Sequence, residues 1–248
     1  MTTRLHIDDA LVARHPEICV GGFVVRNLDV AAAGLPDTCT LVDSAQAELV
    51  QQGIKLANLA ADPRIAGWRK AIQECGLKAK SYKSSPEQLA RRVLQGKGIV
   101  TPLPVVDAYC AVSTRNLVPL GGYDRDRLPE AMLRLRLGNP GRDRFTPLGG
   151  NPADMPITDD VAVYAAGDEV LCWAFNFRDS ANTCLTKDTR TAVFLGEATT
   201  MVQQTSLRAA LVELAELLAG AGAVVGDPAL ADGKAPELTL EDPVGTTR

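Results

Sequence analysis

The densest run of polar side chains in this chain of 248 residues lies between residues 176 and 191. Hydrophobic segments flank it, which is typical of a loop held between two strands, where binding and catalytic sites commonly form. Its hydroxyls, amides, guanidinium groups and carboxylates could bind a polar ligand and order a water molecule, but they include no activated nucleophile. The alternative is a turn whose side chains cap its own backbone. The run reads Asn176-Phe177-Arg178-Asp179-Ser180-Ala181-Asn182-Thr183-Cys184-Leu185-Thr186-Lys187-Asp188-Thr189-Arg190-Thr191.

Paired glycines offer a second kind of chemistry, because they let a backbone approach a ligand closely. The motif Pro119-Leu120-Gly121-Gly122, followed by Asp126, recurs 28 residues later as Pro147-Leu148-Gly149-Gly150, followed by Asp154. Backbone N–H groups around these pairs are candidate donors to a developing oxyanion. Simple turns are the alternative interpretation.

Histidine and cysteine usage argues against several other mechanisms. The chain has only His6 and His15, and its six cysteines never approach a C-x-x-C spacing, so we expect neither a zinc site nor a Ser-His-Asp or Cys-His mechanism. The glycine run from Gly220 follows a helix and not a strand, so no dinucleotide site is expected. We therefore predict no metal and no cofactor. Buried, reduced thiols are predicted for Cys19, Cys39, Cys75, Cys110, Cys172 and Cys184.

Charge is distributed unevenly, although the formal net charge is only -4. Residues 64–97, the first basic window, carry nine basic side chains against two acids, and residues 115–144, the second basic window, carry seven arginines against four acids. Residues 213–242 reverse the sign, with seven acids and one lysine. Salt confines surface fields to about 8–10 Å, so a local basic face can bind phosphates on an acidic protein. A solvated helix surface is the alternative.

Hydrophobic spacing predicts the elements that must position these residues. Helical spacing occurs over residues 43–61, 63–75, 85–96 and 207–218. The third of these helices begins with a predicted capping box between Ser85 and Gln88. Strand patterns occur over residues 133–137, 161–165, 169–177 and 191–197, the middle two forming a hairpin. This order favours an α+β fold with mixed or antiparallel sheets and packed helices over a regular βαβ repeat.

The ends of the chain carry two further expectations. Residues 227–248 are acidic and rich in proline and threonine, so we predict a domain over residues 1–226 followed by a flexible tail over residues 227–248. No stretch reaches about 18 uncharged apolar residues, and the N-terminus lacks the apolar core of a secretion signal. We therefore expect a cytoplasmic protein that does not enter a membrane.

Several short stretches form, in order, a pattern shared with a known family. They are Val20-Gly21-Gly22-Phe23-Val24-Val25; Trp68; Lys78-Ala79-Lys80; Ser84-Ser85-Pro86-Glu87; Arg91-Arg92-Val93-Leu94; Val106-Asp107-Ala108-Tyr109; Val112-Ser113; Pro119-Leu120-Gly121-Gly122-Tyr123-Asp124; and Asn176-Phe177-Arg178-Asp179-Ser180 with Thr183, Thr186 and Thr189. Over about residues 5–220 the chain resembles freestanding relatives of the B3/B4 domain of the bacterial phenylalanyl-tRNA synthetase beta subunit. It departs from the family pattern at Cys110, Phe175, Phe177 and Asp159-Asp160.

The resemblance implies an α+β fold of the B3/B4 type and a pocket that, in the synthetase, hydrolyses wrongly charged aminoacyl-tRNA. In that domain a glutamate late in a strand reads the hydroxyl that distinguishes tyrosine from phenylalanine, and Glu197 looks like its counterpart. An aminoacyl ester is already activated, so its hydrolysis needs a positioned water and an oxyanion donor. Neither a metal nor a histidine is required.

From the resemblance and the polar cluster together we predict a deacylase that edits mischarged aminoacyl-tRNA in trans. The expected catalytic residues are Asn176, Arg178, Ser180 and Thr183; the substrate-binding residues are Gly121, Gly122, Tyr123, Thr186 and Glu197; and the tRNA-binding residues are Lys78, Lys80, Lys83, Arg91 and Arg92. Two other functions stay open: a non-catalytic module that binds tRNA or an amino acid, and an enzyme acting on a small free amino-acid derivative.

Three of these residues also have purely structural interpretations. Arg178 could pair with Asp179 or Asp188 to lock the loop, and Glu197 could pair with a neighbouring arginine. Tyr123 could be packed core rather than a stacking platform.

Overall fold

The computed structural model describes residues 2–31 and 34–243. The helices in this part of the chain are α1 (Asp9–Arg14), α2 (Thr38–Gln51), α3 (Pro63–Glu74), α4 (Ser85–Leu94), α5 (Pro104–Asn116) and α6 (Met201–Gly220). The strands are β1 (Thr3–Ile7), β2 (Cys19–Arg26), β3 (Leu120–Asp124), β4 (Met132–Leu137), β5 (Ala162–Ala166), β6 (Glu169–Trp173), β7 (Arg178–Asp179), β8 (Ala192–Ala198), β9 (Val224–Val225), β10 (Ala229–Asp232) and β11 (Glu237–Leu240).

These strands form two sheets. The first has the order β11-β1-β4-β5-β6-β7, and the second has the order β10-β2-β8-β3, with β9 paired to β2. Strands β1 and β4 run parallel, whereas the other paired strands run antiparallel. The predicted α+β class with mixed and antiparallel sheets is therefore confirmed.

Both faces of the second sheet are buried, one against the first sheet and the other against α5 and α6. Because successive side chains of a strand point to opposite faces, Val193 and Leu195 of β8 face the first sheet, while Phe194 packs among residues of α5 and α6. Glu197 follows the same alternation as Val193 and Leu195, and only 3% of its surface is exposed. The fold thus brings a carboxyl group into the apolar layer between the sheets.

Helix α4 is held by a fully buried carboxylate, that of Glu87. Arg69 of α3 donates two hydrogen bonds to it, Nη2 to Oε1 at 2.6 Å and Nε to Oε2 at 2.9 Å, and Arg91 Nε donates to Oε1 at 2.9 Å. Burial alone would raise the pKa of Glu87, but the hydrogen bonds and charges of the two arginines outweigh it and hold the pKa below its usual range. The carboxylate therefore stays ionised and fixes α4 against α3.

Most of the predicted elements form, with corrected limits. Strands predicted at 133–137, 161–165 and 191–197 are β4, β5 and β8, and the helix predicted at 63–75 is α3. The predicted strand 169–177 ends at Trp173, where the chain turns into β7. The third predicted helix is α4, but Ser84 occupies its N-cap position, and the Gln88 side chain donates to the Lys83 carbonyl, so the predicted capping box is wrong.

The first predicted helix, over residues 43–61, is shifted and divided. Helix α2 begins at Thr38 because the Asp37 side chain caps it by accepting from the Thr40 N–H at 3.3 Å. It ends at Gln51, before Gly53, whose positive φ of 76° breaks the helix. Val50, one of the apolar residues whose spacing predicted this helix, is 57% exposed.

The segment predicted to be a flexible tail pairs with both sheets. Strand β10 extends the second sheet along β2, and β11 extends the first sheet along β1. Leu238 and Leu240 alternate with exposed residues and are buried in the core, which gives this acidic segment an apolar face. The expectation of flexibility therefore does not hold for residues 229–240, while residues 244–248 lie outside the described part.

The close approach of β2 and β8 requires glycine at position 22. A Cβ added at Gly22 would collide with the backbone carbonyl oxygen of Phe194 and with the Leu195 side chain. We expect Gly22→Ala to lower the free energy of unfolding by about 1–3 kcal/mol, as overpacking does. Urea unfolding followed by circular dichroism measures it.

Gly220→Ala is the matched control, because an added Cβ there meets no atom and Gly220 belongs to α6. We expect stability to stay unchanged or to rise by up to about 1 kcal/mol. Equal effects of the two substitutions would contradict this account of the strand contact.

Candidate functional site

A small, partly enclosed cavity lies between β3, β6, β8 and the start of α4. Its volume is about 40 Å³. That is enough for an ordered water but far below the roughly 300 Å³ at which ligand pockets begin. Binding of an amino-acid side chain therefore requires the walls to separate. The lining residues are Ser85, Pro119, Leu120, Gly121, Tyr123, Cys172, Phe175, Asn176, Asp179, Leu195 and Glu197.

One wall of the cavity is a chain of hydrogen bonds that ends on a carboxyl group. The Ser85 N–H donates to Asn176 Oδ1 at 3.0 Å, and Asn176 Nδ2 donates to Glu197 Oε1 at 2.9 Å. The hydroxyl of Tyr164 donates to Glu197 Oε2 at 3.0 Å. Each oxygen of Glu197 thus has one donor, and no arginine pairs with it within the described residues.

This environment brings the pKa of Glu197 close to neutral pH. Burial raises the pKa of Glu197 to about 7, although the hydrogen bonds from Asn176 and Tyr164 act in the opposite direction by favouring the charged form. A carboxyl group with a pKa near the working pH can both accept and release a proton. Glu197 therefore has the chemistry of a general base.

A second carboxyl group, that of Asp179, faces the same cavity. The Tyr123 hydroxyl donates to Asp179 Oδ1 at 3.1 Å, and the Cys172 thiol lies against the same carboxyl. Burial raises the pKa of Asp179, and Asp179 in turn raises the pKa of Glu197. Burial also raises the pKa of Cys172 well above its usual range, so this thiol stays protonated and is not a nucleophile.

A tight backbone turn places Asn176 in the wall. Ala174 and Phe175, which join β6 to β7, have positive φ angles of 53° and 59°. Such angles are uncommon for residues other than glycine and persist where the surroundings enforce them. Here Phe175 is fully buried, with its ring 5.6 Å from that of Trp68 and 5.4 Å from that of His15. Packing of Phe175 thus holds the turn.

Four of the nine predicted catalytic and substrate-binding residues line the cavity: Gly121, Tyr123, Asn176 and Glu197. Gly122 faces the other side of β3, where an added Cβ would meet Phe194 and Leu185.

The remaining four predicted residues lie in the loop but away from the cavity lining. Arg178 Nη1 donates to the Leu148 carbonyl at 3.3 Å, and its guanidinium lies 5.6 Å from the Phe177 ring centroid. The Ser180 hydroxyl accepts from the Asn182 N–H at 3.2 Å. Thr183 is buried, and the Thr186 N–H donates to Thr189 Oγ1 at 2.9 Å.

Sequence reasoning did not assign Ser85, Tyr164, Cys172 or Asp179 to the cavity. Tyr164 carried a usable signal, because a tyrosine inside the otherwise apolar strand β5 needs a partner for its hydroxyl. The shorter contact of Ser85 is made by its backbone N–H, which no side-chain pattern reveals, while its hydroxyl lies 3.5 Å from the same Asn176 oxygen.

The first basic window lies beside the loop that carries Asn176. Tyr82, between Lys80 and Lys83, packs against Trp173 and Phe177, with ring centroids 5.5 and 5.3 Å apart. Arg91 is bound to Glu87, as described above. Within the described residues, no acid lies within ion-pair distance of Lys78, Lys80, Lys83, Arg92 or Lys97.

The second basic window is neutralised by acids. Six of its seven arginines lie within 4.0 Å of an acidic side chain, and the seventh, Arg127, donates to the Cys184 carbonyl. The pairs are Arg115–Glu213, Arg125–Asp242, Arg134–Asp8, Arg136–Asp143, Arg142–Asp168 and Arg144–Glu169.

A larger, open cleft of about 430 Å³ lies beside His15. Arg14 pairs there with Asp160, and both His15 Nδ1 and Lys70 lie within ion-pair distance of Glu74, while His15 Nε2 is buried without a hydrogen-bond partner. Phe175 separates this cleft from the small cavity.

The described residues contain no cluster of His, Cys, Asp and Glu side chains that could hold a metal ion. None of the helices in the described part of the chain combines the length and the hydrophobicity of a membrane-spanning segment. Cys19, Cys75 and Cys172 are buried as predicted, whereas Cys39 is exposed, and Cys110 and Cys184 are half-buried, so the prediction of buried thiols is wrong for these three.

Comparison with known proteins places the cavity inside a recognised domain. Residues 67–218 match the family model of the B3/4 domain. Among solved structures, the chain is similar to an N-terminal fragment of the phenylalanyl-tRNA synthetase beta subunit from Pyrococcus horikoshii, with 12% identity and a TM-score of 0.44. That match covers 89% of this chain and 49% of the other, so this chain spans about half the length of that fragment. The comparison with curated proteins gave no match.

The raised pKa of Glu197 makes stability depend on pH. The carboxyl titrates near 4.5 when unfolded and near 7 when folded, so its contribution to stability is present below pH 4.5 and is lost as pH rises to 7. We expect the free energy of unfolding to fall by roughly 2–3 kcal/mol more between pH 5 and pH 8 in the wild type than in Glu197→Gln. Urea unfolding at both pH values measures this difference.

Glu216→Gln is the control, since Glu216 is exposed on α6 and lies outside the cavity. The same pH dependence in Glu197→Gln and the wild type would show that Glu197 ionises as an exposed carboxyl does.

Proposed function

This chain belongs to the B3/4 domain family, and from that membership together with the small polar cavity we propose that it hydrolyses the ester bond of a mischarged aminoacyl-tRNA in trans. The observation that carries the proposal is the buried Glu197 carboxyl, oriented by Asn176 towards a cavity large enough for a water molecule.

The proposed chemistry uses groups already present in the wall. Glu197 accepts a proton from the water as the oxygen attacks the ester carbonyl, and the proton is then available to the leaving ribose hydroxyl. The N–H groups around Gly121 are proposed donors to the oxyanion, a role that contributes about 3 kcal/mol per donor in other enzymes. Arg178, Ser180 and Thr183 are proposed to hold the surrounding loop, and Thr186 its turn.

Selection of the amino acid is proposed to occur at Tyr123, since Glu197 acts on the water. The Tyr123 hydroxyl, which is bonded to Asp179, presents a polar group in an otherwise apolar layer, so a side chain that can hydrogen-bond to it is favoured over an apolar side chain. Since the cavity holds only about 40 Å³, entry of the amino acid requires the cavity walls to separate.

The acceptor end of tRNA is proposed to bind along Lys78, Lys80, Lys83 and Arg92, whose charges have no acidic partner among the described residues. Arg91 is held by Glu87 through Nε, so its share in phosphate binding is smaller. These residues lie beside the loop of Asn176 because Tyr82 packs on Phe177. A phosphate chain bound there would end near the cavity wall.

The small cavity volume also supports a second candidate, a module that binds tRNA without hydrolysing it. Binding that weakens steeply with salt, without release of amino acid from any mischarged tRNA, would favour this function over the first.

The deacylase proposal predicts release of free amino acid from at least one member of a full panel of mischarged tRNAs. We expect Asn176→Ala and Glu197→Ala to slow this release at least about 100-fold, because each removes part of the general-base pair. Asn182→Ala is the matched control: its amide contacts Thr146 and Glu169 outside the cavity, so its rate should stay near that of the wild type. A panel in which every ester survives would exclude hydrolysis.

The basic surface predicts a charge-specific effect on tRNA binding. Replacing Lys78, Lys80 and Lys83 by Gln should weaken binding and reduce the slope of log affinity against log salt by about 2–3, or about one per lost phosphate contact. Replacing Arg134, Arg142 and Arg144 by Gln should change affinity less than about twofold, because acids already neutralise these arginines. Filter binding across a salt series distinguishes the two. Equal losses in both triple variants would contradict the proposed surface.

A further inference from the structure

The first backbone N–H of α4 has an unusual partner. N–H groups in the first turn of a helix have no carbonyl within the helix to bind and carry part of the positive end of the helix dipole. In α4 this donor, the Ser85 N–H, is directed at the side-chain oxygen of Asn176, which is 91 positions away in sequence.

This bond decides which end of the Asn176 amide faces the cavity carboxyl. An amide side chain has one accepting end and one donating end. With Oδ1 occupied by the Ser85 N–H at 3.0 Å, Nδ2 points to Glu197 Oε1 at 2.9 Å. The reverse orientation would set two donors against each other at Ser85 and two acceptors against each other at Glu197.

We infer that the start of α4, through the backbone N–H of Ser85, is a positioning group that fixes the Asn176 amide and thereby keeps Glu197 a proton acceptor towards the cavity. Ser85 touches neither the substrate nor the reacting atoms in this scheme. The catalytic consequence rests on the proposed function, whereas the hydrogen-bonded link from Ser85 to Glu197 can be tested without assuming any activity.

The other groups around Glu197 do not supply this control. Tyr164 from β5, Cys172 from β6, Asp179 from β7 and Tyr123 from β3 are the titratable groups that face it. Tyr164 donates to the other oxygen, and Asp179 opposes ionisation. Asn176 is therefore the donor to Oε1, and its orientation depends on α4.

The ion pairs of Glu87 fix the position of α4, so they also hold the Ser85 N–H in place beside Asn176. Glu87 in its first turn is bound by Arg69 of α3 and by Arg91. The helix begins two residues after Lys83 and carries Arg92. Arg92, one of the residues proposed to bind RNA, thus lies on the same helix as the donor that orients the cavity amide.

The link is tested in the wild-type protein without RNA, by nuclear magnetic resonance over roughly pH 5–9. We expect the amide shift of residue 85 to titrate with the same midpoint as the Glu197 carboxyl, near 7, and to do so in Ser85→Ala as well, because that variant keeps the N–H. The titration should vanish in Asn176→Ala and in Glu197→Gln. A residue 85 amide that does not respond to pH, or that still responds in Asn176→Ala, would overturn the inference.

Ser85→Pro removes the N–H donor together with the Ser85 hydroxyl, which lies 3.5 Å from Asn176 Oδ1, so Ser85→Ala, which removes the hydroxyl alone, is its reference. Proline is tolerated at this helix position, and Ser84 already has the extended ψ of 153° that a following proline requires. We expect the Glu197 midpoint to rise by about one pH unit relative to Ser85→Ala, since the Asn176 amide is no longer held as a donor to the ionised form. In Asn176→Ala, which also leaves room for the proline ring, Ser85→Pro should add no further shift.

The coupling would be contradicted if the Ser85→Pro shift of the Glu197 midpoint were added in full to that of Asn176→Ala. It would also be contradicted if Ser85→Pro alone caused no shift. If the shifts occur while every mischarged tRNA survives, the proposed function fails and the positioning role stands. If deacylation occurs but Ser85→Pro leaves its pH profile unchanged, the positioning role fails alone.

Discussion

A carboxyl group buried between two apolar sheets must be surrounded by donors, and this requirement ties distant parts of the chain together. Glu197 comes from β8, Tyr164 from the facing sheet, Asn176 from the hairpin loop between β6 and β7, and the Ser85 N–H from α4. An unpaired charge in such a place would cost several kcal/mol. The site therefore exists only where both sheets and α4 meet in the correct register.

Ion pairing decides which cations can act on a partner. Both basic windows look alike in composition, yet Asp8, Asp143, Asp168 and Glu169 neutralise much of the second. In the first basic window, Arg69 and Arg91 form ion pairs with Glu87, whereas the lysines between α3 and α4 have no acidic partner among the described residues. The surface potential of this protein thus depends on tertiary pairing and not on the number of basic residues.

Local patterns allowed much of the fold to be predicted, because alternation and helical spacing are short-range signals. The strand Leu133–Leu137 and the helix from Pro63 follow them closely. Helix α5 was not predicted, since eight of its residues are buried around its circumference and leave no polar stripe. For the site, the family resemblance identified Asn176 and Glu197, but the Ser85–Asn176 contact spans 91 positions and involves a backbone donor. No spacing rule could have found it.

The placement of the last strand gives the molecule an electrical asymmetry. In the first sheet β11 forms one edge and β7 the other, with four strands between them, and Glu237 of β11 is largely exposed. The unpaired lysines lie at the β7 side, next to Phe177. A polyanion approaching this face would meet lysines without acidic partners within the about 8–10 Å that salt leaves unscreened, even though the formal net charge of the protein is -4.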